Sequence, residues 1–522
     1  MIGHGVAETA RKPATSLRHG WRSLVASDVG ILALMALAVV VLHTLPNGRY
    51  GFHRDELQTF NNARHLAWGY VEYPPMTAFL GRAALELFGN SLRGFRLFPA
   101  VAQALAVLVA GLAAREMGGN RKAQFVAALA TAIGGHTLFI GSFASYTSYD
   151  FPCWILVAYL AIRLLKSSED PRWWVAIGAA IGLGMMTKYT MGFLALGVAG
   201  GMLLTPARRY LKSPWLWGGL ALSLLVWLPN LAWQIQHHLV TLKYLESIHA
   251  RDIRWGRANH FLLGQIWESA NIVTVPVWCA GLWYLFATSN GKRYRMLGWM
   301  YVIPLAILLV AKGRSYYLAP AYPMLLAAGA VWAEEWRQSL SAKSAHAVWN
   351  ATWHTLAVAG VAAAAITLPV APLNSAWWRV ADGVNGNFNM EIGYREMVQT
   401  VAKIRDSLPP DQRARLGILA GDDGEAGAGA LYGPAYGLPS AISGMNSNWL
   451  RGYGNPPPET LIVVGMPRSF VDRNFASCEL AGRLTNRYGI DNLAIHGYED
   501  VFVCRQLREP WPIFWKHFEY YG

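Results

Sequence analysis

The chain has 522 residues, of which 54% are hydrophobic and only 15% charged, so a large part of its apolar surface must face lipid and a soluble globular protein is excluded. The formal net charge of +14 would suit nucleic acid if it were clustered. It is instead spread over short loops between apolar runs, which is a membrane-topology pattern and argues against a nucleic-acid partner.

Arg11, Lys12, Arg18 and Arg22 precede the first apolar run, residues 31–45. This leader is long and Leu45-Pro46-Asn47-Gly48 has no small-residue cleavage pattern, so the run is expected to remain as an uncleaved helix. Further runs at 95–114, 123–143, 151–165, 173–186, 191–204, 215–233, 266–286, 297–311, 317–332 and 348–370 predict about eleven spans in a polytopic α-helical membrane protein. Arg115, Arg121 and Lys122, then Arg163, Lys166 and Arg172, then Arg208, Arg209 and Lys212, then Lys292, Arg293 and Arg295, then Arg337 and Lys343 fall on the leader's side. That side is therefore expected to be cytoplasmic. Residues 1–27 become a basic cytoplasmic N-terminus and 28–372 a membrane domain whose first extracytoplasmic loop is 47–94. An odd number of spans leaves 373–522 outside, and the localisation expected is a bacterial cytoplasmic (inner) membrane.

Long apolar runs stop before residue 373. The C-terminal 150 or so residues are expected to form an α/β domain, with a helix at 391–408, strands at 415–420 and 460–464, a helix at 470–484 and a strand at 500–506. The segment Gly421-Asp422-Asp423-Gly424-Glu425-Ala426-Gly427-Ala428-Gly429 comes after a strand, but its glycine spacing does not fit a dinucleotide fingerprint. A turn leading into a tightly packed helix is expected, and no cofactor is placed there. Cys153 and Cys279 lie in spans, whereas Cys478 and Cys504 share the outer domain and an oxidising compartment, which makes them a candidate disulfide.

Titratable residues gather where helices end on the outer face. His53-Arg54-Asp55-Glu56 comes after the first span, Glu72-Tyr73 lies later in the same loop, Asp150 caps the fourth span, and Lys188 sits in the break between the fifth and sixth. Lys312, Arg314, Tyr316 and Tyr317 join the ninth to the tenth. Any one of these reads as a solvated loop charge. Asp150 and Lys188 sit in very short connections, where a charge pushed inward costs about 2 to 3 kcal/mol, so convergence on a site explains them better. Carboxylates among cations at a membrane surface point to a lipid-phosphate substrate: cations hold the phosphate, and a carboxylate accepts a proton from an attacking hydroxyl. That chemistry is glycosyl transfer from a polyprenyl phospho-sugar.

Arg54-Asp55-Glu56, with Ala63-Arg64-His65-Leu66-Ala67-Trp68-Gly69-Tyr70, Glu72-Tyr73-Pro74-Pro75, Leu87-Phe88-Gly89 and Arg96-Leu97-Phe98-Pro99, resembles bacterial family 39 glycosyltransferases of the protein O-mannosyltransferase type, which have a GT-C fold. Gly182-Leu183-Gly184-Met185-Met186-Thr187-Lys188-Tyr189-Thr190 and Arg314-Ser315-Tyr316-Tyr317-Leu318-Ala319-Pro320-Ala321-Tyr322-Pro323 match later signatures of that group, to which lipid A aminoarabinose transferases are distantly similar. The resemblance implies a polyprenyl-phosphate donor of the undecaprenyl class, Asp55 as general base with Glu56 beside it, and Asp150 as a further catalytic acid. It also implies Lys188, Tyr316 and Tyr317 around the donor phosphate, with Arg257, Lys312 and Arg314 as further cations and His53, Glu72 and Tyr73 on the same active face. Tyr73 departs from the aminoarabinose transferases, which have a phosphate-binding Lys there; that loss argues against the aminoarabinose donor and leaves the phosphate to cations elsewhere, with Arg257 and Lys312 as candidates.

The expected reaction is inverting attack of an extracytoplasmic acceptor hydroxyl, on a protein, glycolipid or polysaccharide, with the lipid phosphate as leaving group. A divalent metal bridging Asp55 and Asp150 is a further option, and no other cofactor is expected. The alternative, a lipid-linked sugar flippase, would need ionisable residues at several membrane depths, but the acids collect on one face. A membrane-anchored scaffold would not account for Asp55, Asp150 and Lys188 together.

Overall fold

The computed structural model describes residues 27–166, 170–493 and 495–522; the basic leader containing Arg11, Lys12, Arg18 and Arg22 lies outside the described residues. Helix α1 (Asp28–Thr44) starts where the Ser27 hydroxyl accepts the Gly30 N–H. The segment after it carries the helices α2 (Arg54–Arg64) and α3 (Met76–Phe88) and a single turn at Leu92–Phe95, before the chain continues into α4 (Leu97–Glu116) and α5 (Arg121–Ala132). The series continues with α6 (Tyr146–Lys166), α7 (Trp173–Met185), α8 (Met191–Leu203), α9 (Pro214–Gln236), α10 (Val240–Arg254), α11 (Val275–Ala287), α12 (Arg295–Val310), α13 (Tyr322–Gln338) and α14 (Ala342–Thr367).

Every apolar run is mainly helical, although not always as one straight helix. Among the described residues, four helices are long and apolar enough to cross a bilayer: Leu92–Glu116, Tyr146–Lys166, Pro214–Gln236 and Gly291–Val310. Two bent pairs also qualify when each pair is taken together, Met191–Leu203 with Pro206–Lys212 and Phe261–Ser269 with Ile272–Ala287. The second pair bends by 98° because Asn271 starts a new helix, its side chain accepting the Val273 N–H. Likewise the run 123–143 is broken after α5, where Gly134 takes an extended ψ of 133° before the short helix Gly135–Ile140. Small residues set the closest approaches: a methyl group on Gly281 of α11 would overlap the Leu325 carbonyl of α13, and one on Gly329 of α13 would overlap the Val277 carbonyl.

The C-terminal part begins with α15 (Ala376–Asn385) and α16 (Tyr394–Ser407), followed by β1 (Leu416–Ala420), α17 (Asp423–Tyr432), β2 (Ala441–Ile442), β3 (Thr460–Val464), α18 (Arg468–Asn474), β4 (Phe475–Arg483), β5 (Asp500–Leu507) and α19 (Trp511–His517). The sheet order is β2-β1-β3-β5-β4; β1 is parallel to β2 and β3, and β5 is antiparallel to β3 and β4. The helix expected at 470–484 ends at Asn474. The rest is strand β4, because pairing with β5 satisfies its backbone groups and sets Cys478 directly opposite Cys504, to which it is disulfide-bonded with Cα atoms 4.2 Å apart.

One hydrophobic core is shared by the first loop and the C-terminal domain. Phe52, Leu57 and Phe60 pack with Met397, Val398 and Ile462. The glycine-rich segment does form a helix, α17, capped by Asp422 and packed against α2. A methyl on Gly427 would overlap the Leu57 carbonyl, so only glycine permits this contact.

Candidate active site

Helix α2 positions the first-loop acids through its N-terminus. The His53 ring nitrogen Nδ1 accepts the Asp55 N–H at 3.1 Å, and the Glu56 carboxylate accepts the His53 N–H at 3.0 Å, forming a capping box. Successive helical residues diverge by about 100°, so the two carboxylates part ways. Glu56 is fully buried and accepts from Arg96 Nε at 2.9 Å, Arg96 Nη2 at 2.6 Å and the Ala144 N–H at 2.8 Å. Asp55, with 41% of its side chain exposed, opens into a cleft of about 390 Å³.

That cleft is lined by Asp55, His136, Tyr146, Glu268, Arg314 and Tyr316, among others, and by the end of α14. Arg54 Nε lies 3.2 Å from the Asp55 carboxylate. Partial burial favours protonation of Asp55, but the Arg54 guanidinium, His53 and Arg314 more than offset this and hold the carboxyl below its ordinary value. An ionised carboxylate facing a cleft is what a general base requires.

One cation among the described residues, Arg314, lines the same opening, and Lys188 lies behind two of its tyrosines, Tyr146 and Tyr316. Lys188 projects its ammonium into a cage of tyrosines, 4.6 Å from the Tyr317 ring centroid, 5.2 Å from Tyr146 and 5.4 Å from Tyr316. Arg314 grips Asp252 of α10 through Nε at 2.5 Å and Nη2 at 2.9 Å, and its Nη1 donates to the Tyr316 hydroxyl at 3.0 Å. Arg257 and Arg251 also approach Asp252, at 3.4 and 3.8 Å. Three guanidiniums share one carboxylate, and of the three Arg314 lines the cleft.

The other expected site residues lie elsewhere. Asp150 is one turn inside α6 rather than at its cap; it is buried, with its oxygens accepting from Trp154 Nε1 at 3.2 Å and Thr190 Oγ1 at 2.9 Å. It ties α6 to the break that carries Lys188. Glu72 and Tyr73 face the C-terminal domain and α2: Glu72 accepts from Gln58 Nε2 at 2.7 Å and from the Ser447 hydroxyl, and the Tyr73 hydroxyl accepts from Asn62 Nδ2 at 2.7 Å. In the same network Asp423 accepts from Gln58, Asn446 and Asn448. Burial pushes the Glu72 and Asp423 carboxyls up. Lys312 is exposed at the end of α12 and does not line the cleft.

Sequence reasoning missed Asp252, Glu268, His136 and Tyr146. Glu268 carried a usable signal, being a lone acid inside an apolar run; its carboxylate accepts from the Ser315 hydroxyl at the cleft. Asp252, flanked by Arg251 and Arg254, looked like any charge in a polar loop.

A bridging divalent ion would need converging oxygens. Asp150 spends both of its oxygens on Thr190 and Trp154, so it does not fit a bridge to Asp55. Among the described residues, the one cluster of three converging ligand types is Asp491, His496 and Glu499, at the surface of the C-terminal domain.

Residues 72–233 match the family model described as dolichyl-phosphate-mannose-protein mannosyltransferase. The chain is similar to lipid A galacturonosyltransferase RgtD of Rhizobium johnstonii, 28% identical over 283 residues that cover 52% of this chain and 58% of that protein. It is also similar to the undecaprenyl phosphate-alpha-4-amino-4-deoxy-L-arabinose arabinosyl transferase of Pseudomonas savastanoi pv. phaseolicola, 30% identical over 181 residues, 31% of this chain and 33% of that one. The matches thus span between a third and three fifths of these relatives' lengths. In fold it is similar to ArnT from Cupriavidus metallidurans bound to undecaprenyl phosphate, with a TM-score of 0.54 at 16% identity over 91% of this chain and 98% of that one. The Archaeoglobus fulgidus oligosaccharyltransferase tethered with an acceptor peptide gives 0.55 at 12% identity over 85% and 70%. Residues 72–233 are therefore similar to the protein mannosyltransferase family, the chain shares the fold of ArnT and the oligosaccharyltransferase, and a lipid A galacturonosyltransferase is among the proteins it resembles.

Proposed function

We propose that the protein is a membrane glycosyltransferase that moves a sugar from a polyprenyl-phosphate donor of the undecaprenyl class to an acceptor hydroxyl, with Asp55 as general base. The observation that carries this reading is Asp55 itself, an ionised carboxylate opening into a cleft that Arg314 also lines, with Lys188 behind its tyrosine wall. Similarity to transferases whose names specify lipid A or an undecaprenyl phosphate donor supports the substrate class. In this reading about eleven spans place the N-terminus in the cytoplasm, and the cleft and residues 373–522 face outward.

The acceptor oxygen attacks the anomeric carbon as Asp55 takes its proton, and the bond from that carbon to the lipid-phosphate oxygen breaks on the opposite side, inverting the centre. Arg314, Arg257 and Lys188 offset the charge that gathers on the departing phosphate. A phosphate monoester anion leaves without protonation, so no second acid is needed. Glu56 acts as a brace, since Arg96 and the Ala144 N–H hold it while it caps the helix bearing Asp55.

The test is release of undecaprenyl phosphate by the full-length protein in detergent, given undecaprenyl-phosphate sugars and a bacterial envelope-lipid fraction. Asp55→Asn is expected to lower release about 100-fold or more while undecaprenyl phosphate still binds. Near-normal release by folded Asp55→Asn would remove Asp55 from the mechanism, and no release by the unaltered protein would remove the transferase reading.

A further inference from the structure

A second and larger cavity lies at the opposite end of α2. It has a volume of about 620 Å³ and runs between the end of that helix and the C-terminal domain, under β1, α17 and the segment leading to β3. Arg64, His65, Arg415 and Arg451 line it, and among the described residues no Asp or Glu does. Arg64 donates to the Ala430 carbonyl at 2.7 Å, and Arg451 donates to the side-chain oxygens of Asn62 and Asn448. Neither forms an ion pair among the described residues; Arg64 keeps its charge toward the cavity, whereas Arg451 also feels the buried Glu72 and Asp423 carboxyls behind it. Arg415 is the exception, paired with Glu459 at the rim.

The rest of the lining has the character of a sugar site. Ser440 and the Asn61 side-chain oxygen supply neutral polar groups, the Asn61 and Asn448 amides being bonded to one another, to Arg451 and to Asp423, and Tyr453, whose ring stacks on Trp511 at 5.0 Å, presents an aromatic wall. Arginine forks match carboxylate and phosphate oxygens, amides match hydroxyls, and an aromatic face matches the apolar side of a pyranose. Asp55 and Arg64 sit nine residues apart on one helix, about 14 Å at 1.5 Å per residue, which is the length of a short oligosaccharide.

We propose that this cavity holds the anionic part of the acceptor, a saccharide bearing a phosphate or a carboxylate. The acceptor role rests on the transferase reading; the binding of an anionic sugar does not.

The full-length protein in detergent is titrated calorimetrically with glucose 1-phosphate, galacturonic acid, glucose, galactose and inorganic phosphate. The acidic sugars are expected to bind at least tenfold more tightly than their neutral counterparts and than inorganic phosphate, with affinity falling as salt rises. Arg64→Ala/Arg415→Ala is expected to lose at least tenfold in affinity. So is Ser440→Trp, which fills the cavity from an exposed position without removing charge. Lys188→Ala should leave this binding unchanged. Loss in Lys188→Ala with retention in the arginine variant would place the anion in the cleft of Asp55 and overturn the proposal. Inorganic phosphate binding as tightly as glucose 1-phosphate would overturn its saccharide part. Absence of undecaprenyl phosphate release alongside intact sugar binding would instead overturn only the transferase reading.

Discussion

The Arg96 guanidinium donates two hydrogen bonds to the Glu56 carboxylate, from Nε at 2.9 Å and Nη2 at 2.6 Å, with both side chains wholly removed from solvent. The same guanidinium reaches Glu391 at 3.2 Å and the Gly51 carbonyl at 3.1 Å. Two segments far apart in sequence, residues 51–56 and Glu391, therefore converge on one cation.

Removing one partner of a buried pair leaves the other charge stranded, at a cost of about 3 to 5 kcal/mol. Arg96→Ala is expected to lower the thermal midpoint strongly and to abolish release of undecaprenyl phosphate with it. Asp55→Asn should leave the midpoint almost unchanged. Equal midpoints for the two variants would contradict the distinction between brace and base.

Burial raises the Glu391 carboxyl to about 8, against the pull of Arg96. The folded state then keeps a proton that the unfolded chain has lost, so this group's contribution is fully present below about pH 4.5 and is lost as pH rises through about 8. Thermal midpoints should fall over that interval, and Glu391→Gln should flatten the fall. An unchanged slope in Glu391→Gln would assign the pH dependence to another group.

Asp55 has the opposite shift. A base works only when deprotonated, and its carboxyl lies below the ordinary value, so the acid limb of turnover is expected below that value as well. Arg54→Ala should move the limb upward by about one unit, because the nearest opposing charge is gone. A pH profile of undecaprenyl phosphate release for both proteins checks this.

The tyrosine cage makes a separate claim about Lys188. Lys188→Ala should weaken undecaprenyl phosphate binding at least tenfold, with a smaller effect on turnover at saturating donor. A fall in turnover with unaltered binding would instead confine Lys188 to the departing phosphate in the transition state, and no change in either would remove it from the donor site.

Strand pairing joins Cys478 to Cys504, whereas Cys153 and Cys279 are free. Denatured without reductant, the protein should show two reactive thiols, rising to four after reduction. Closing a loop of 26 residues in the unfolded chain is worth about 3.5 kcal/mol, so reductant should lower the thermal midpoint of the domain.

Much of this architecture was visible in the sequence where one physical signal dominated. The strand at 460–464 and the helix after Gly421 were readable because apolar runs and glycine spacing report burial directly. Strand β4 was not, since Phe470, Val471, Phe475 and Cys478 have helical spacing and only the partner strand decides otherwise. In the candidate site, Asp55 and Lys188 stood out as charges beside apolar segments. The separation of Asp55 from Glu56 was implied by helix geometry, but the inward placement of Glu72 and Asp150 depends on Ser447 and Thr190, which are distant in sequence.

The backbone contact between Gly427 and Leu57 has a practical corollary for engineering. Chimeras that exchange the C-terminal domain between relatives with a cut near residue 373 would set a foreign helix against an unmatched first loop, and a single side chain larger than hydrogen at 427 suffices to push the two apart. The exchangeable unit is therefore discontinuous, residues 47–94 travelling with 373–522, and a graft that respects this unit carries Asp55 and the cavity lined by Arg64 and Arg451 in one piece.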